Sequence, residues 1–387
     1  MTSENKKKIF FLSGKRGGYD AMLPLSKELS KTKTIDFKII LTDQHNYKNF
    51  GKTLKIVQKD FNFKKIVKLD LNQKDSSSKS RLKAMSILIN KLTLYLSKNV
   101  PDLLILYGDR AESFVAGFVC VNLNIPICHF QGGDLSGNID EKLRHALTKI
   151  SDLHFASNYK SKKRILQMGE NKKSVFNIGD SHIDSLKKVS FKKNSIYKKY
   201  DLQINEDYCV LLFHPDGTSK LKNKEYINII LKTLESINIK IICVYPCTDI
   251  GYEAIIDSLI NKSKLNKKFN IFPNIVYSEF LNLIKFSKFF IGNSSSGIIE
   301  TPYLKKPFIN LGNRQNNRLK SGNIISTKIN QKSILKSIKL ALSKKFKKNL
   351  KNPNLFYGNG KSYKQAYKKI LSNINNIKVE KKFNEIN

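Results

Sequence analysis

Along the chain, short runs of nearly continuous apolar residues alternate with longer stretches in which apolar positions recur every three or four residues. The short runs, 8–13, 37–42, 65–69, 103–107, 125–130, 153–156 and 175–178, lack the alternation of a half-solvated strand. They predict parallel strands buried on both faces. The longer stretches 19–31, 82–96, 111–122 and 140–150 predict the helices that cover them. This βαβ rhythm predicts an α/β fold with a doubly wound sheet. A polar, lysine-rich interval over 184–207 interrupts it, and strand-like runs resume at 208–213, 239–245, 271–276, 289–291 and 308–311. Two Rossmann-type domains are expected, 1–185 and 186–360. A C-terminal segment, 361–387, follows them, with a helix over 362–374 that packs back on the first domain and a charged, frayed tail from 378. A further helix is expected over 331–345.

The length of 387 residues with 40% hydrophobic content suits two domains, each with its own core. The most apolar segment, 115–130, is broken by Asn122, Asn124 and Pro126, so no membrane span is expected. The apolar run 9–12 is too short for a signal-peptide core, and a cytoplasmic location is expected. Cys120, Cys128, Cys209, Cys243 and Cys247 are odd in number and lie mostly in apolar runs, which reads as free thiols. A net charge of +39 invites a nucleic-acid reading. Only seven of the 70 basic residues are arginine, however, and lysine is spread evenly along the chain. A compositional bias explains that better than a binding patch, because arginine is preferred where phosphates or bases are recognised by paired hydrogen bonds. The charge still favours capture of an anionic substrate.

An open parallel sheet binds ligands beyond the carboxyl ends of its strands, and the unusual residues gather there. Gly14-Lys15-Arg16-Gly17-Gly18 follows the first run, His45 the second, Asp109 and Arg110 the fourth, and Gly132, Gly133 and Asp134 the fifth. In the second half His214 closes the first run, and Gly292-Asn293-Ser294-Ser295-Ser296-Gly297 ends the fourth. That serine loop precedes a helical run, so its backbone N–H groups and hydroxyls offer an anion site suited to a diphosphate. A plain serine N-cap is the competing reading. Glu300, one turn on, is placed to accept from ribose hydroxyls, and Arg314 and Arg318 follow the next strand. Arg16 is the candidate cation of the first loop.

Residues 108–149 collect Asp109, Asp134, Asp140 and Glu141 with His129, Arg144 and His145. Carboxylates near a cleft suit an enzyme that moves a proton on carbon and releases an oxygen leaving group. Asp140 and Glu141 equally fit the acidic first turn of a helix, and His145, four residues after Glu141, fits a supporting partner. His214, at a strand end, is expected to titrate near neutral pH. No close-spaced ligand pair points to a metal.

Taken together these motifs resemble the hydrolysing branch of the UDP-N-acetylglucosamine 2-epimerases, which make N-acetylmannosamine for sialic-acid-type sugars. The likeness also rests on Gln44-His45, Phe50-Gly51, Ser136-Gly137, Arg144-His145-Ala146, Gln167-Met168-Gly169-Glu170 and Gly312-x-Arg314-Gln315, and it covers nearly the whole chain. The resemblance implies a GT-B-like pair of domains around an inter-domain cleft, a UDP-sugar substrate, no metal and no nicotinamide cofactor, and a homo-oligomer, dimer or tetramer. It implies that Arg16, His214, Ser294, Ser295 and Arg314 hold the diphosphate and UDP, with His45, Arg110, His145 and Gly297 in the binding set and Glu300 on the ribose. Asp109, Asp140 and Glu141 stand at acid/base positions. The implied chemistry is elimination of UDP with loss of the C2 proton to give a glycal, then addition of water with inverted C2. Two departures bear on it. Gln131 stands where many relatives have a catalytic Glu, and an amide exchanges no proton at neutral pH; Asp134 is the expected substitute. Gly17-Gly18 replaces the usual Ala and acidic residue, which points to a modified hexosamine such as a 2,4-diacetamido-6-deoxy sugar nucleotide. A GT-B glycosyltransferase and a non-hydrolysing epimerase are the rival readings, and a basic nucleic-acid-binding protein is the remotest.

Overall fold

The structure, a computed structural model, describes residues 6–42, 45, 53–136, 139–216 and 219–385. Of the motif residues named above, Gln44, Phe50, Gly51 and Gly137 lie outside the described residues, as does the Arg16 side chain. The first half runs β1 Lys7–Ser13, α1 Arg16–Lys31, β2 Ile35–Leu41, α2 Thr53–Asp60, β3 Ile66–Lys68, α3 Ser78–Lys98, β4 Leu103–Tyr107, α4 Ala111–Asn122, β5 Ile127–Phe130, α5 Ile139–Ile150, β6 Leu153–Ala156, α6 Tyr159–Gln167 and β7 Val175–Asn177. After α7 Ser181–Leu186 and α8 Lys193–Lys199 the second half runs β8 Tyr208–Leu212, α9 Lys220–Glu235, β9 Lys240–Val244, α10 Tyr252–Leu265, β10 Phe269–Phe272, α11 Tyr277–Phe286, β11 Phe290–Gly292, α12 Ser295–Ile299, α13 Thr301–Leu304, β12 Phe308–Leu311, β13 Ile324–Thr327, α14 Gln331–Leu342, α15 Lys344–Asn349 and α16 Ser362–Asn373.

The strands form two parallel sheets, ordered β3-β2-β1-β4-β5-β6-β7 and β10-β9-β8-β11-β12-β13. Every residue of β4, β5, β6, β8 and β12 is buried, as a sheet covered on both faces requires. Each sheet accordingly has a separate apolar cluster on either side: Phe11 and Ile105 face one way and Phe10 and Leu104 the other, while Val210 and Leu211 divide likewise in the second sheet. Helices are started by local hydrogen bonds that the sequence supplies: Ser77, Asn158, Ser219 and Asn330 each accept from a backbone N–H of the first turn of α3, α6, α9 and α14.

Four features differ from the expectation. The edge strand β13 buries only Ile325, its other positions being half-exposed or exposed, so it lacks an apolar run. β10 ends at Phe272, because Pro273 withdraws a ladder donor just beyond it. The polar interval holds two short helices, α7 and α8, which bury Ile183, Leu186, Ile196 and Tyr197 against the second sheet. As far as the described residues run, the tail is tied down, since Lys381 pairs with buried Glu170 at 2.6 Å and donates to the carbonyls of Lys149 and Ser151. Phe383 lies over Gly169, and the Lys149 ammonium stands 4.6 Å from its ring.

The chain passes between the halves twice. It leaves the first sheet through Gly179 and returns through Gly358 to α16, whose Ala366 and Ile370 join the core beside α1. The two crossings touch: a Cβ on Gly179 would stand 2.9 Å from Gly358 Cα, and Asp180 N–H donates to Tyr357 O at 2.8 Å. Asp184 then accepts from the Ser362 and Tyr363 N–H groups at 2.8 and 2.7 Å, which starts α16 at the crossing.

Gly292 ends β11 with φ 149°, and a Cβ there would run into the Leu212 carbonyl of the neighbouring strand. Gly292→Ala is expected to cost about 2 kcal/mol or more, read as a lower denaturation midpoint at unchanged m-value. Gly17→Ala, inside α1 with open space around it, is expected to hold or raise the midpoint in the same measurement.

Candidate active site

Strand order reverses between β1 and β4 in the first sheet and between β8 and β11 in the second, so the loops that follow these strands diverge and leave a crevice at each point. The two crevices open into one cleft, lined by Asp109, Gln131 and Arg144 from the first half and by His214, Ser294 and Arg314 from the second. No single domain contains this set.

On the second side, Asn293 ties the ends of β8 and β11 together. Its Oδ1 accepts from the His214 N–H at 2.7 Å and its Nδ2 donates to the His214 carbonyl at 2.8 Å. The His214 ring is fixed as well, because the Cys247 N–H donates to Nδ1 at 3.0 Å and thereby leaves the proton on Nε2. Burial, helped by the Arg314 charge, pushes the imidazole pKa down to about 3. The expectation of a titrating His214 is therefore corrected: it is a neutral hydrogen-bond donor at physiological pH. Ser294 caps α12, and Ser294, Ser295 and Ser296 all line the cleft. α12 is five residues long, so hydroxyls and loop N–H groups outweigh any macrodipole. Gly297 lies on the far side of that turn, where a Cβ would run into the Phe308 ring; packing, not ligand contact, accounts for it. Arg314 donates to Asp249 Oδ2 at 3.2 Å and to the Asn293 carbonyl at 3.4 Å. Glu300 is fully buried and accepts from Tyr277 Oη at 2.8 Å; burial raises its pKa to about 7 against the lowering effect of His182.

On the first side, Asp109 is ion-paired with buried Arg144, which also donates to Asp134 O and Ser136 Oγ. Burial alone would raise the Asp109 pKa, but Arg144, Lys15, Arg318 and Arg314 hold it at about 2. Asp140 shows the opposite balance: burial and the charges of Asp109 and Asp249 push it up to about 6. The two carboxyl groups are thus separated in acidity by their surroundings: Asp109 is a fixed anion paired with Arg144, and Asp140 is the one whose protonation changes near neutral pH. His129, with its Nε2–H on the Gly108 carbonyl at 2.8 Å, is fully buried, and burial lowers its pKa to about 3, so it braces the Asp109 loop.

Several expected site residues stand elsewhere. Asp134 is not the substitute for Gln131: it is 2% exposed and accepts from Ser157, Asn158 and Ser161 as well as from Arg318 at 2.8 Å, which occupies both oxygens. Glu141 accepts from the Ser136 N–H at 2.6 Å and His145 stands 3.9 Å from it, so both support the 134–136 turn outside the cleft lining. His45 is buried behind β1, 2.9 Å from Ser13 Oγ. Arg110 holds Glu112 at 3.1 Å and reaches across to Asp249 at 2.9 Å, which joins the halves. Arg16 opens α1, and its side chain lies outside the described part.

Sequence reasoning passed over Asp249, which bridges Arg110 and Arg314, and the pair Asp180 and His182, where the imidazole Nδ1 meets Asp180 Oδ1 at 2.8 Å. The available signal was position: both sets follow strand ends, β9 and β7, as do the residues that were found. Among the described residues, no group of three His, Cys, Asp or Glu is arranged to hold a metal ion, and no helix is long and apolar enough to cross a membrane.

The model of the UDP-N-acetylglucosamine 2-epimerase family matches residues 27–371. The chain is 34% identical over 349 residues, 89% of its own length and 90% of the relative's, to the GDP/UDP-N,N'-diacetylbacillosamine 2-epimerase (hydrolyzing) of Campylobacter jejuni. It is 30% identical over 363 residues, 93% and 94% of the two chains, to the UDP-N,N'-diacetylbacillosamine 2-epimerase (hydrolyzing) of Legionella pneumophila. The crystal structure of the Methanocaldococcus jannaschii UDP-GlcNAc 2-epimerase in complex with UDP-GlcNAc and UDP superposes with a TM-score of 0.78 at 25% identity, covering 94% of this chain and 99% of that one. The UDP-GlcNAc-bound enzyme of Neisseria meningitidis, at 21% identity and TM-score 0.78, shares the fold over 95% of this chain.

The pinned His214 ring makes a direct prediction. In nitrogen-detected NMR its imidazole is expected to stay in the Nε2–H form from pH 8 to pH 5, since protonation sets in only as pH falls toward about 3.

Proposed function

Because the chain belongs to the UDP-N-acetylglucosamine 2-epimerase family, we propose that it is the hydrolysing kind of enzyme, converting a UDP-2-acetamido sugar and water to UDP and the free manno-configured sugar. The observation that carries this reading is the opposition, across one cleft, of a phosphate-binding side and a carboxylate side. Ser294, Ser295, Arg314 and the His214 Nε2–H converge where a diphosphate would lie, and Asp109 faces them, with Asp140 near enough to feel its charge. Glu300, buried and hydrogen-bonded to the lining residue Tyr277, is assigned to the ribose hydroxyls, and Tyr245, Pro273 and Ile275 offer an apolar wall to the base.

The chemistry follows from charge. Departure of UDP from C1 places negative charge on the β-phosphate, which guanidinium and hydroxyl donors stabilise most when it is fully developed. Loss of the C2 proton to a carboxylate gives a 2-acetamidoglycal, and protonation of C2 from the other face with water addition at C1 completes the inversion. Two relatives at 30% and 34% identity are named for N,N'-diacetylbacillosamine, and this supports a 2,4-diacetamido sugar as substrate. The same reading places the enzyme in the cytoplasm, in keeping with five free cysteines, and as a homo-oligomer.

Incubation in heavy water tests the reading. UDP-N,N'-diacetylbacillosamine is expected to yield UDP and a free sugar with deuterium at C2. Retention of hydrogen at C2 would mark a glycosyltransferase, and a manno product still bearing UDP would mark the non-hydrolysing reaction. Arg314→Ala is expected to raise the Kd for UDP at least tenfold by calorimetry, as loss of a charge-assisted hydrogen bond of about 1.5–3 kcal/mol implies.

A further inference from the structure

Inversion at C2 needs two groups that exchange protons from opposite faces of the sugar. The cleft holds fewer than its polarity implies. Asp109 is locked to Arg144, Asp249 is shared by Arg110 and Arg314, Asp134 has no free oxygen, His214 is pinned as a donor, and Gln131 is an amide. Asp140, next to Asp109 and raised in pKa by burial and by the Asp109 charge, is assigned as one exchanger, and the second must come from elsewhere.

His182 lines the same cleft as Gln131 and Asp109. It sits in the first turn of α7, directly after the crossing between the domains. Asp180, the N-cap of that helix, is completely enclosed by its partners: Oδ1 accepts from the His182 backbone N–H at 2.9 Å and from the ring Nδ1–H at 2.8 Å, and Oδ2 accepts from Gln131 Nε2 at 2.6 Å. Tyr107 Oη lies 3.0 Å from the same ring nitrogen. A carboxylate on Nδ1 fixes the ring and stabilises its protonated form, the arrangement that equips an imidazole to exchange protons through Nε2. Nε2 makes no hydrogen bond among the described residues. Gln131 therefore serves the site by orienting Asp180, and it does so at a left-handed φ of 61° that turns its amide toward that carboxylate.

We propose that His182, held by the positioning residue Asp180, is the catalytic acid that returns a proton to C2 during hydration of the glycal. The proposal rests on the 2-epimerase reading above. In the first half-reaction the C1–O bond breaks, its electron pair leaves on the UDP β-phosphate, and the C2 proton passes to the Asp140 carboxylate as C1=C2 forms. In the second, the C1=C2 pair takes the Nε2 proton at C2 from the opposite face, and water oxygen bonds to C1. The surplus water proton restores the imidazolium through solvent, and Asp140 discharges its proton to solvent, so one proton is released per UDP. Charged and titratable groups facing the ring support a proton there at neutral pH. Burial disfavours the cation, yet Asp180, Glu300 and Asp20 raise its pKa above the ordinary histidine value, and the neighbouring Tyr107 and Tyr277 phenols are held un-ionised by burial.

His182→Asn and Asp180→Asn test this in the whole protein, with folding checked by thermal melting and UDP affinity by calorimetry. His182→Asn is expected to keep UDP affinity within threefold, to form the manno sugar at least 100-fold more slowly, and to accumulate free 2-acetamidoglycal alongside UDP. Asp180→Asn, which keeps the shape, is expected to move the alkaline limb of the wild-type kcat profile down by about one pH unit or more, because the imidazolium loses its carboxylate. A His182→Asn enzyme that makes the manno sugar within threefold of the wild-type rate, with no glycal, overturns the proposal. So does an Asp180→Asn profile with an unmoved limb, which decides the matter should His182→Asn not fold. A wild type that turns over no UDP-2-acetamido sugar removes the underlying reading, a result distinct from an active wild type matched by its variants.

Discussion

A guanidinium group taken out of water must be met by a carboxylate, and the architecture of this protein depends on that requirement being satisfied across a gap. Four arginines are withdrawn between the two sheets: Arg144 and Arg318 at 1% and 6% side-chain exposure, with Arg110 and Arg314 only slightly more accessible or equal. Two of their ion pairs, Arg110 with Asp249 and Arg318 with Asp134, join residues from opposite halves. An unpaired buried charge costs several kcal/mol, which each of these pairs avoids while it fixes geometry. These pairs join the halves across the gap, alongside the two backbone crossings and the packing of α7 on α1. The same matching makes the cleft receptive: Arg314 already faces an anion, the Asp249 carboxylate, in the place where the proposed reading puts a diphosphate.

Most of the fold was legible because parallel strands covered on both sides leave an unmistakable apolar run; β4, β6 and β12 have the bounds read from the residues alone. Where cover is one-sided, as in β13, the run disappears and so did the strand. The site was legible to the extent that its residues sit just beyond strand ends, which located Asp109, His214, Ser294 and Arg314. Partnerships were not legible. Asp134 and Arg318 are 184 positions apart, and nothing in the neighbourhood of Asp134 reveals that both of its oxygens are already taken. The protonation of His214 depends on the Cys247 N–H, 33 positions away, and that hydrogen bond exists only once β8 and β9 lie side by side.

Gln131 illustrates how a departure at one position is absorbed by its surroundings. An amide cannot exchange protons, but it can donate to a carboxylate without competing for charge. Its donation to Asp180 satisfies an oxygen that would otherwise be buried without a partner, and leaves the other oxygen to the imidazole and the helix cap. The loss of a carboxylate at one strand end and the presence of one two strands away in the sheet are thus parts of a single hydrogen-bonded arrangement.

The paired crossings at Gly179 and Gly358 carry a mechanical consequence. A single linker would let one domain swivel, slide and twist against the other, whereas two linkers in contact at one point, tied by the Asp180 to Tyr357 hydrogen bond, narrow the relative motions open to them. Any rotation of one half against the other would have to part the Arg110–Asp249 and Arg318–Asp134 pairs and would turn about this point. Because Asp180 is itself part of the pivot, the residues nearest the axis sweep the shortest path, and side chains there keep their aim while those at the rim travel farthest.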